Sequence, residues 1–214
     1  MNLICFPHYT CGGLLCDILS DTFSPIDKNG GIKSIEHNIG KIGDTPTVLT
    51  KFDITDLNDR LGNLKDKAGW AGTHCWPGQI ELNNVDQIIN VTTTTFRSKV
   101  YRWCRSYYHY FLPQWGDLQE QMLLDKARET AKNYIIPFEP VFNSKVTNIE
   151  FADIVDATQE FYQIVKDKDV SAHITRWQLN NKFLYATDFW NSYPVNAFYQ
   201  AEVEVNLQRY YIYE

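Results

Sequence analysis

The chain has 214 residues, of which 44% are hydrophobic and 21% are charged, and its formal net charge is −6. This length is enough to bury a sizeable core and fits one large α/β domain, so we expect a single domain over 1–214. The negative charge argues against a general nucleic-acid binder, because such proteins neutralise phosphates with a basic surface. One small anion is still compatible with it, since a local cluster of donors can hold an anion whatever the global charge.

Cysteine usage and hydropathy indicate the compartment. The five cysteines are odd in number and show no Cys-x-x-Cys spacing, so neither a disulfide framework nor a metal site such as zinc is expected. No stretch approaches about 18 uninterrupted apolar residues, and no basic region followed by a long apolar run opens the chain. We therefore expect a cytoplasmic protein with no membrane partner.

The first elements follow from apolar runs and their breakers. An apolar run predicts a strand over Leu3 to Phe6, and the Pro and two Gly of Pro7 to Gly13 end it. Apolar residues then recur at helical spacing from Leu14 to Leu19, which predicts a helix. The polar, Gly-rich stretch from Ser24 to Thr45 is interpreted as an irregular surface segment that precedes Thr47 to Phe52.

Helical and strand patterns alternate through the middle of the chain. Leucines on one face predict a helix over Asp56 to Lys67, and Ala68 to Gly78 is interpreted as a loop rich in Gly and aromatic residues. Val85 to Val91 is typical of a buried strand. Four consecutive threonines, Thr92 to Thr95, lead into a predicted helix from about Phe96 to Phe111.

The second half continues the alternation. It contains a predicted helix over Leu118 to Tyr134, a strand over Val146 to Phe151, and helices over Ile154 to Val165 and near Ala172 to Asn180. After these helices, the alternation of Val203, Val205 and Leu207 predicts neither a helix nor a strand. Strands separated by helices favour an α/β fold with three layers, α/β/α, and a mainly parallel central sheet.

The first candidate site is the loop between the first strand and its helix. Glycines let backbone N–H groups turn toward an anion, and the helix N-terminus adds about half a positive charge. Phosphate or sulfate is the natural ligand, although an ordinary Gly-bearing turn is the alternative. The loop lacks the Gly-Lys-Ser/Thr of a nucleotide triphosphatase, which disfavours ATP hydrolysis. Its residues are Pro7, His8, Tyr9, Thr10, Cys11, Gly12 and Gly13.

The second candidate is His74, in the loop Gly72 to Pro77 before the Val85 strand. A His with a pKa near neutrality can accept a proton from an acceptor hydroxyl or amine, as transfer to an alcohol requires. A structural or surface role is the alternative for any single His. His74 gains interest only from its neighbours along the chain.

The third candidate is the segment Thr92 to Arg105, where hydroxyls precede a helix with arginines on its polar face. The polar positions Ser98, Arg102, Arg105 and His109 have offsets of 0, 4, 7 and 11, so they share one face. Such a face can bind a second phosphate. A solvated helix face is the alternative.

These segments, in this order, resemble the sulfotransferase superfamily, whose P-loop-like (P-loop NTPase-like) fold binds 3′-phosphoadenosine 5′-phosphosulfate (PAPS). Ile4-Cys5-Phe6-Pro7-His8 through Leu15 is similar to the family's strand and 5′-phosphosulfate loop. Thr73-His74-Cys75-Trp76-Pro77 is similar to the Thr-His-x-x-Pro segment with the catalytic base. Ile88 to Val91, followed by a helix with Arg105 to His109, is similar to the strand and helix that hold the 3′-phosphate. Val146 to Val155 resembles the family's late strand and acidic turn.

The resemblance implies roles for individual residues. It implies that the loop Pro7 to Gly13 holds the 5′-phosphosulfate and that Ser106 holds the 3′-phosphate, together with Arg97 or Arg102. It implies that His74 accepts the proton of the acceptor hydroxyl or amine. His8 stands near the position of a family lysine and is expected to stabilise charge on the leaving phosphate.

The implied cofactor is PAPS as co-substrate, with no metal. The acceptor, a small molecule or glycan, is expected over aromatic residues such as Trp70, Trp76 and Tyr108. Thr93 stands where the family has a strand-end arginine. This departure and His8 leave a second hypothesis open, in which the chain kept the fold, lost catalysis and binds a nucleotide, a sulfated ligand or a protein. A P-loop small-molecule kinase is a third hypothesis, opposed by the missing Gly-Lys-Ser/Thr.

Overall fold

A computed structural model describes residues 1–20, 29, 40–116, 120–133, 138–166 and 168–210. In these residues one sheet has the strand order β3-β2-β4-β1-β5-β6. The strands are β1 (Asn2–Cys5), β2 (Gly40–Ile42), β3 (Thr45–Thr47), β4 (Gly69–Thr73), β5 (Gln87–Thr92) and β6 (Val146–Glu150).

The helices lie between and after these strands. A π-helical turn over Tyr107–Phe111 joins α3 to α4, and short 3₁₀ turns occupy Pro77–Gln79, Leu82–Asn84, Lys182–Tyr185 and Phe189–Asn191. No helix in the described part of the chain is long and apolar enough to cross a membrane. The α-helices are α1 (Gly12–Ser20), α2 (Ile54–Leu64), α3 (Phe96–Ser106), α4 (Leu112–Trp115), α5 (Glu120–Asn133), α6 (Phe151–Val155), α7 (Gln159–Ile164), α8 (Ser171–Asn180) and α9 (Tyr193–Tyr210).

The sheet is mixed, which corrects the expectation of a mainly parallel one. Strands β4, β1, β5 and β6 are parallel to one another, whereas β2 pairs antiparallel with both β3 and β4. The β2–β3 hairpin turns at Gly43, whose φ is 59°. Gly69 begins β4 at a φ of 134°, and a Cβ there would lie 1.9 Å from the carbonyl oxygen of Lys41. A glycine is therefore required where β2 adds to the sheet.

Three sequence interpretations are wrong in their element type or bounds. The stretch Ala68 to Gly78 contains β4, because Gly72 gives no apolar signal yet allows close packing; a Cβ on it would lie 2.6 Å from Cys16 Sγ. The predicted helix over Ile154 to Val165 is instead two helices, α6 and α7, separated by residues 156–158. The described end of the stretch Ser24 to Thr45, interpreted as irregular, forms β2 at Gly40–Ile42. The alternation at Val203 to Leu207, which had no assigned element, lies inside α9. Most of Ser24 to Thr45 lies outside the described residues.

Apolar side chains cover both faces of the sheet. Leu3 and Cys5 of β1 pack with Leu57 and Leu61 of α2 on one face. Ile4 and Phe6, which point to the other face, join the larger core that includes residues of α1, α3, α5 and α9. Because successive strand residues alternate between faces, one strand supplies both cores. The α/β fold is thereby confirmed, with helices packed against both faces of the sheet.

The strand order determines where the loops meet. From β1 the chain proceeds to β4 on one side of β1 and then crosses to β5 on the other side. Open α/β sheets bind ligands outside the carboxyl ends of strands at such a switch point. The loops that follow β1, β4 and β5 leave the sheet at this edge, and they carry His8, His74 and Thr93.

Candidate functional site

The loops after β1 and β4 run side by side and bring the two predicted histidines together. Cys5 pairs with Thr73 in the register of the sheet, and the N–H of Phe6 donates to the carbonyl of Thr73 at 3.0 Å. The rings of His8 and His74 then stack, with centroids 3.8 Å apart and planes inclined by 35°. Residues separated by 66 positions in the sequence thus form one pair at the carboxyl edge of the sheet.

His74 is held in one tautomer by the backbone. Its Nδ1 lies 2.9 Å from the carbonyl oxygen of Phe6. A carbonyl only accepts, so Nδ1 is assigned the proton and Nε2 keeps its lone pair. The Phe6 ring meets the imidazole edge to face at 4.6 Å and fixes the plane of the ring. His74 is therefore arranged to accept a proton at Nε2.

Both histidines are neutral at pH 7. Burial lowers the pKa of His74 to about 4, the hydrogen bond to the Phe6 carbonyl opposes this shift, and the nearby His8 and Arg102 add to it. Burial, and then the charge of Arg102, also lower the pKa of His8 from 6.5. A neutral His8 can donate one N–H, but it does not supply the positive charge that its position near a family lysine suggested.

The loop after β1 is a tight turn rather than an extended glycine-rich segment. Thr10 Oγ1 donates to the carbonyl of Pro7 at 2.7 Å. Tyr9 has a φ of 63°, a left-handed conformation that costs a non-glycine residue about 1 kcal/mol or more. Cys11 is buried and its carbonyl accepts the N–H of Leu15 at 3.1 Å, in the first turn of α1. The loop thus leads directly into the positive end of that helix.

The glycine pair opens α1. A Cβ on Gly12 would lie 2.2 Å from three atoms of the Phe6 ring, so the helix start packs directly on the ring that supports His74. Gly13 follows in the first turn and is half-buried. The observed role of Gly12 is therefore close approach, which sets how near the α1 N-terminus comes to the histidine pair.

The arginine face of α3 lies against this loop. Arg102 Nε donates to the carbonyl of His8 at 3.1 Å, and Arg105 donates to the carbonyl of Thr10. Ser106 shares this face, four residues after Arg102, and is buried. Arg97 lies about 140° around the helix, where Nε makes an ion pair with Asp156 at 3.0 Å. The structure therefore brings Arg102 and not Arg97 to the loop.

Arg105 lies on the polar face of the third candidate site, but the family resemblance gave it no role of its own. Its Nε donates to Asn181 Oδ1 at 2.7 Å, and its guanidinium lies 4.4 Å from the ring centroid of Trp177. Burial lowers the pKa of Arg105 to about 10. Its position one turn after Arg102 on the same helix face was the available sequence signal. No comparable signal pointed to Asn181, which joins the site from the end of α8.

An internal carboxylate occupies the turn between β5 and α3. Glu150, at the end of β6, accepts from Thr92 Oγ1 at 2.8 Å, and the Thr94 hydroxyl also donates to it. The backbone N–H groups of Thr94 and Thr95 point to the two oxygens of the same carboxylate at 3.2 and 3.4 Å. Burial raises the pKa of Glu150, but the hydrogen bonds from Ser98, Thr94 and Thr92 outweigh it and lower the pKa. The donors expected to bind a second phosphate therefore already bind Glu150.

Thr93 lies in the turn between β5 and α3, between Thr92 and Thr94, whose hydroxyls donate to Glu150. Its side chain is buried, with 1% exposure, and its hydroxyl makes no hydrogen bond within the described residues. A buried hydroxyl without a partner is costly and marks a position where a ligand or water can bind.

Trp70, one of the aromatic residues expected to guide an acceptor, lies away from the histidine pair. Trp70 lies at the start of β4, opposite Asn2, at the far edge of the sheet. Trp76 Nε1 donates to the carbonyl of Glu139, and Tyr108 stacks on Phe183 at 4.3 Å. Tyr9 lies beside His8, with ring centroids 6.4 Å apart, and its ring in turn lies 6.2 Å from that of Tyr110; both tyrosines are exposed. The placement of an acceptor over Trp76 and Tyr108 stays a prediction.

Comparison with protein-family models, curated proteins and solved structures gave no match. Among the described residues, no group of three or more His, Cys, Asp and Glu side chains is arranged to hold a metal ion. The site is therefore defined by its geometry: a neutral histidine pair, a helix N-terminus, two arginines and an unpaired buried hydroxyl at one sheet edge.

Proposed function

We propose that this protein transfers the sulfuryl group of PAPS to a hydroxyl or amine acceptor, with His74 as the base. The observation that carries the proposal is the His74–Phe6 hydrogen bond, which leaves Nε2 unprotonated and able to accept a proton. The position of the site at the carboxyl edge of the parallel strands β4-β1-β5-β6 supports the proposal, because open α/β sheets bind ligands outside the carboxyl ends of their strands. The acceptor is a small molecule or glycan.

In the proposed reaction the acceptor oxygen or nitrogen attacks sulfur in line with the bond that breaks. That bond joins sulfur to the bridging oxygen of the 5′-phosphate, so 3′-phosphoadenosine 5′-phosphate (PAP) leaves with the bonding electrons. The acceptor proton passes to His74 Nε2. The 5′-phosphosulfate lies on the loop Pro7 to Gly13, where the α1 N-terminus, Arg102 and an N–H of His8 stabilise the negative charge on the leaving phosphate.

The 3′-phosphate is assigned to the face of α3 that carries Arg102 and Ser106. Arg97, the alternative cation, is already paired with Asp156 on another face of the helix. The hydroxyl of Thr93 is a further donor for the nucleotide, because it is buried and has no partner in the described chain. Arg102, Ser106 and Thr93 are therefore the proposed binding residues, because Thr92, Thr94 and Thr95 donate to Glu150.

A binding protein without catalysis is the second candidate, and a specific observation favours it. Glu150 satisfies the N–H and hydroxyl groups of the β5–α3 turn, and a neutral His8 replaces a lysine at the first loop. Both features lower the positive charge available to a nucleotide with several phosphates. In this case the chain binds a nucleotide or sulfated ligand and leaves it unchanged.

Radiolabelled PAPS distinguishes the two candidates when it is incubated with phenol, a hexose and an alkylamine as acceptor probes. We expect wild-type protein to sulfate at least one probe and His74→Ala to lose transfer while keeping its affinity for PAP. A matched variant, Arg60→Gln on the opposite face of the sheet, should transfer normally. PAP binding without transfer would support the binding protein, and full transfer by His74→Ala would remove His74 as the base.

A further inference from the structure

A cavity of about 570 Å³ lies at the amino-terminal edge of the sheet, remote from the histidine pair. It is lined by the beginnings of β4, β5 and β6 on one side and by α7 and the residue two positions after it on the other. Trp70 and His74 are four positions apart along β4, which corresponds to about 13 Å in an extended strand. The lining residues are Trp70, Gln87, Ile89, Thr147, Asn148, Ile149, Glu160, Gln163, Ile164 and Lys166.

Regular secondary structure positions most of this lining. Trp70 and Gln87 both pair with Asn2, on either side of β1, and Ile89 pairs with Thr147. Residues two apart in a strand share a face, so Gln87 and Ile89 point the same way. On α7, Glu160, Gln163 and Ile164 have the i, i+3, i+4 spacing of one helix face. A rigid strand face therefore opposes a helix face across the cavity.

The floor of the cavity is apolar and its rim is polar. Ile89 and Ile149 are buried, with 2% and 4% exposure, and Trp70 and Ile164 are half-buried against the same core. The side chains of Gln87, Thr147 and Gln163 are exposed at the rim. A cavity within the usual size range of ligand sites, with an apolar floor and a few polar groups, is the ordinary construction of a small-molecule site.

The charges of the lining cancel. It carries one carboxylate, Glu160, and one ammonium group, Lys166. A phosphorylated ligand would meet no excess of positive charge here, in contrast to the site beside Arg102 and Arg105. The lining therefore presents no net charge to a ligand.

We infer that this cavity binds an uncharged nucleoside. The Trp70 indole offers a flat apolar surface for a base, and base–aromatic stacking is a general mode of nucleobase binding. The carboxamides of Gln87 and Gln163 each present a donor beside an acceptor, which matches the donor–acceptor edge of adenine. The hydroxyl of Thr147, also in the lining, is placed to hydrogen-bond the ribose. This site is independent of the proposed sulfuryl transfer.

Adenosine is the probe, and its binding is measured by calorimetry and by ¹H–¹⁵N NMR of the full chain. We expect saturable binding that shifts the amide signals of Ile89, Thr147 and Gln163. Gln163→Ala should weaken binding about tenfold or more, because it removes a paired donor and acceptor. Gln163→Trp, which fills the cavity, should abolish binding, whereas the matched control Gln178→Ala on α8 should bind as wild type does.

Three results would overturn the inference. The first is no heat and no shift at millimolar adenosine. The second is binding that survives Gln163→Trp in a protein with a native NMR spectrum. The third is adenosine binding that disappears in Arg102→Gln, which would place the nucleoside at the histidine edge instead. Because Gln163 is exposed on α7, its variants test the site without disturbing the core.

Discussion

The Nδ1 atom of His74 lies 2.9 Å from the carbonyl oxygen of Phe6 and ties the loop after β4 to the loop after β1. This hydrogen bond assigns the tautomer, and the edge of the Phe6 ring holds the imidazole plane. A backbone acceptor fixes the proton without adding a negative charge, so burial still lowers the pKa of His74 to about 4. The base remains neutral throughout the physiological range.

The first prediction concerns the pH at which His74 becomes protonated. Because burial lowers its pKa to about 4, the acid limb of any His74-dependent activity should lie near pH 4 rather than near 6.5. NMR titration of the imidazole Cε1 proton measures this value directly. His74→Gln identifies the signal. A midpoint near 6.5 would show that the ring is solvated and that the Phe6 contact does not define its state.

The same shift predicts a change of stability with pH. Unfolded His74 binds a proton below about pH 6.5, whereas the folded ring does so only near pH 4, so the unfolded state binds more protons between these values. The free energy of unfolding should therefore fall as the pH falls from 6.5 toward 4. Urea unfolding at several pH values measures the slope. His74→Gln should flatten it, and an equal slope in the variant would contradict the assignment.

The second pair of residues open to test is Gly12 and the Phe6 ring. In Gly12→Ala the new Cβ would lie 2.2 Å from the ring, so the ring or the start of α1 must move. Such overpacking costs about 1–3 kcal/mol of unfolding free energy and should shift the His74 resonance. Gly62→Ala is the matched control, because Gly62 is exposed on α2. A Cβ there would lie 3.9 Å from its nearest neighbour, Nδ2 of Asn84. The substitution should stabilise the protein by up to about 1 kcal/mol.

Asp17 and Arg176 form a buried ion pair between α1 and α8, with side chains 4% and 2% exposed. Arg176→Met should lower the free energy of unfolding by about 3–5 kcal/mol, because Asp17 would stay buried without its counter-ion. Asp17→Leu in the same chain should recover a large part of this loss. The exposed pair Lys126–Glu129 is the control and should cost less than about 1 kcal/mol. A loss that the double variant does not reduce would contradict the ion-pair account.

Glu150 is predicted to be the group that holds the β5–α3 turn. Glu150→Gln replaces an oxygen that accepts N–H and hydroxyl donors with an NH₂ group that also donates, so about 2 kcal/mol of unfolding free energy should be lost. Amide exchange of Thr94 and Thr95 should speed up in the variant. Glu129→Gln, on an exposed helix face, is the control. Unchanged exchange at both threonines would show that the turn does not depend on the carboxylate.

The sequence predicts well the elements that carry apolar periodicity. The runs of β1 and β5 and the helical spacing of α1, α2 and α3 appear close to their expected bounds. Their order also places the loops with His8 and His74 at one edge. By contrast, β4 is hidden by glycines that are selected for close packing, and α9 has apolar residues on most sides, so no helical face is visible in its sequence.

Partners that are distant in the chain account for what the sequence misses at the site. Glu150 follows Thr95 by 55 residues, and Asn181 follows Arg105 by 76, and neither pair has a local pattern. The two contacts engage the donors of the threonine turn and of Arg105. The threonine turn is bound by Glu150, whereas Arg102 and Ser106 stay on the face that borders the first loop. Such contacts depend on the packing of distant side chains, which the apolar periodicity of the sequence does not encode.

Calorimetric titration with PAP tests the central claim most directly. We expect wild-type protein to bind PAP at one saturable site. Its affinity should fall about tenfold or more in Arg102→Gln, because a charged hydrogen bond is lost. The affinity should be nearly unchanged in His74→Ala and Gln163→Ala. Absence of binding at millimolar PAP, or equal binding by Arg102→Gln, would contradict a nucleotide site at the edge where His8 and His74 meet.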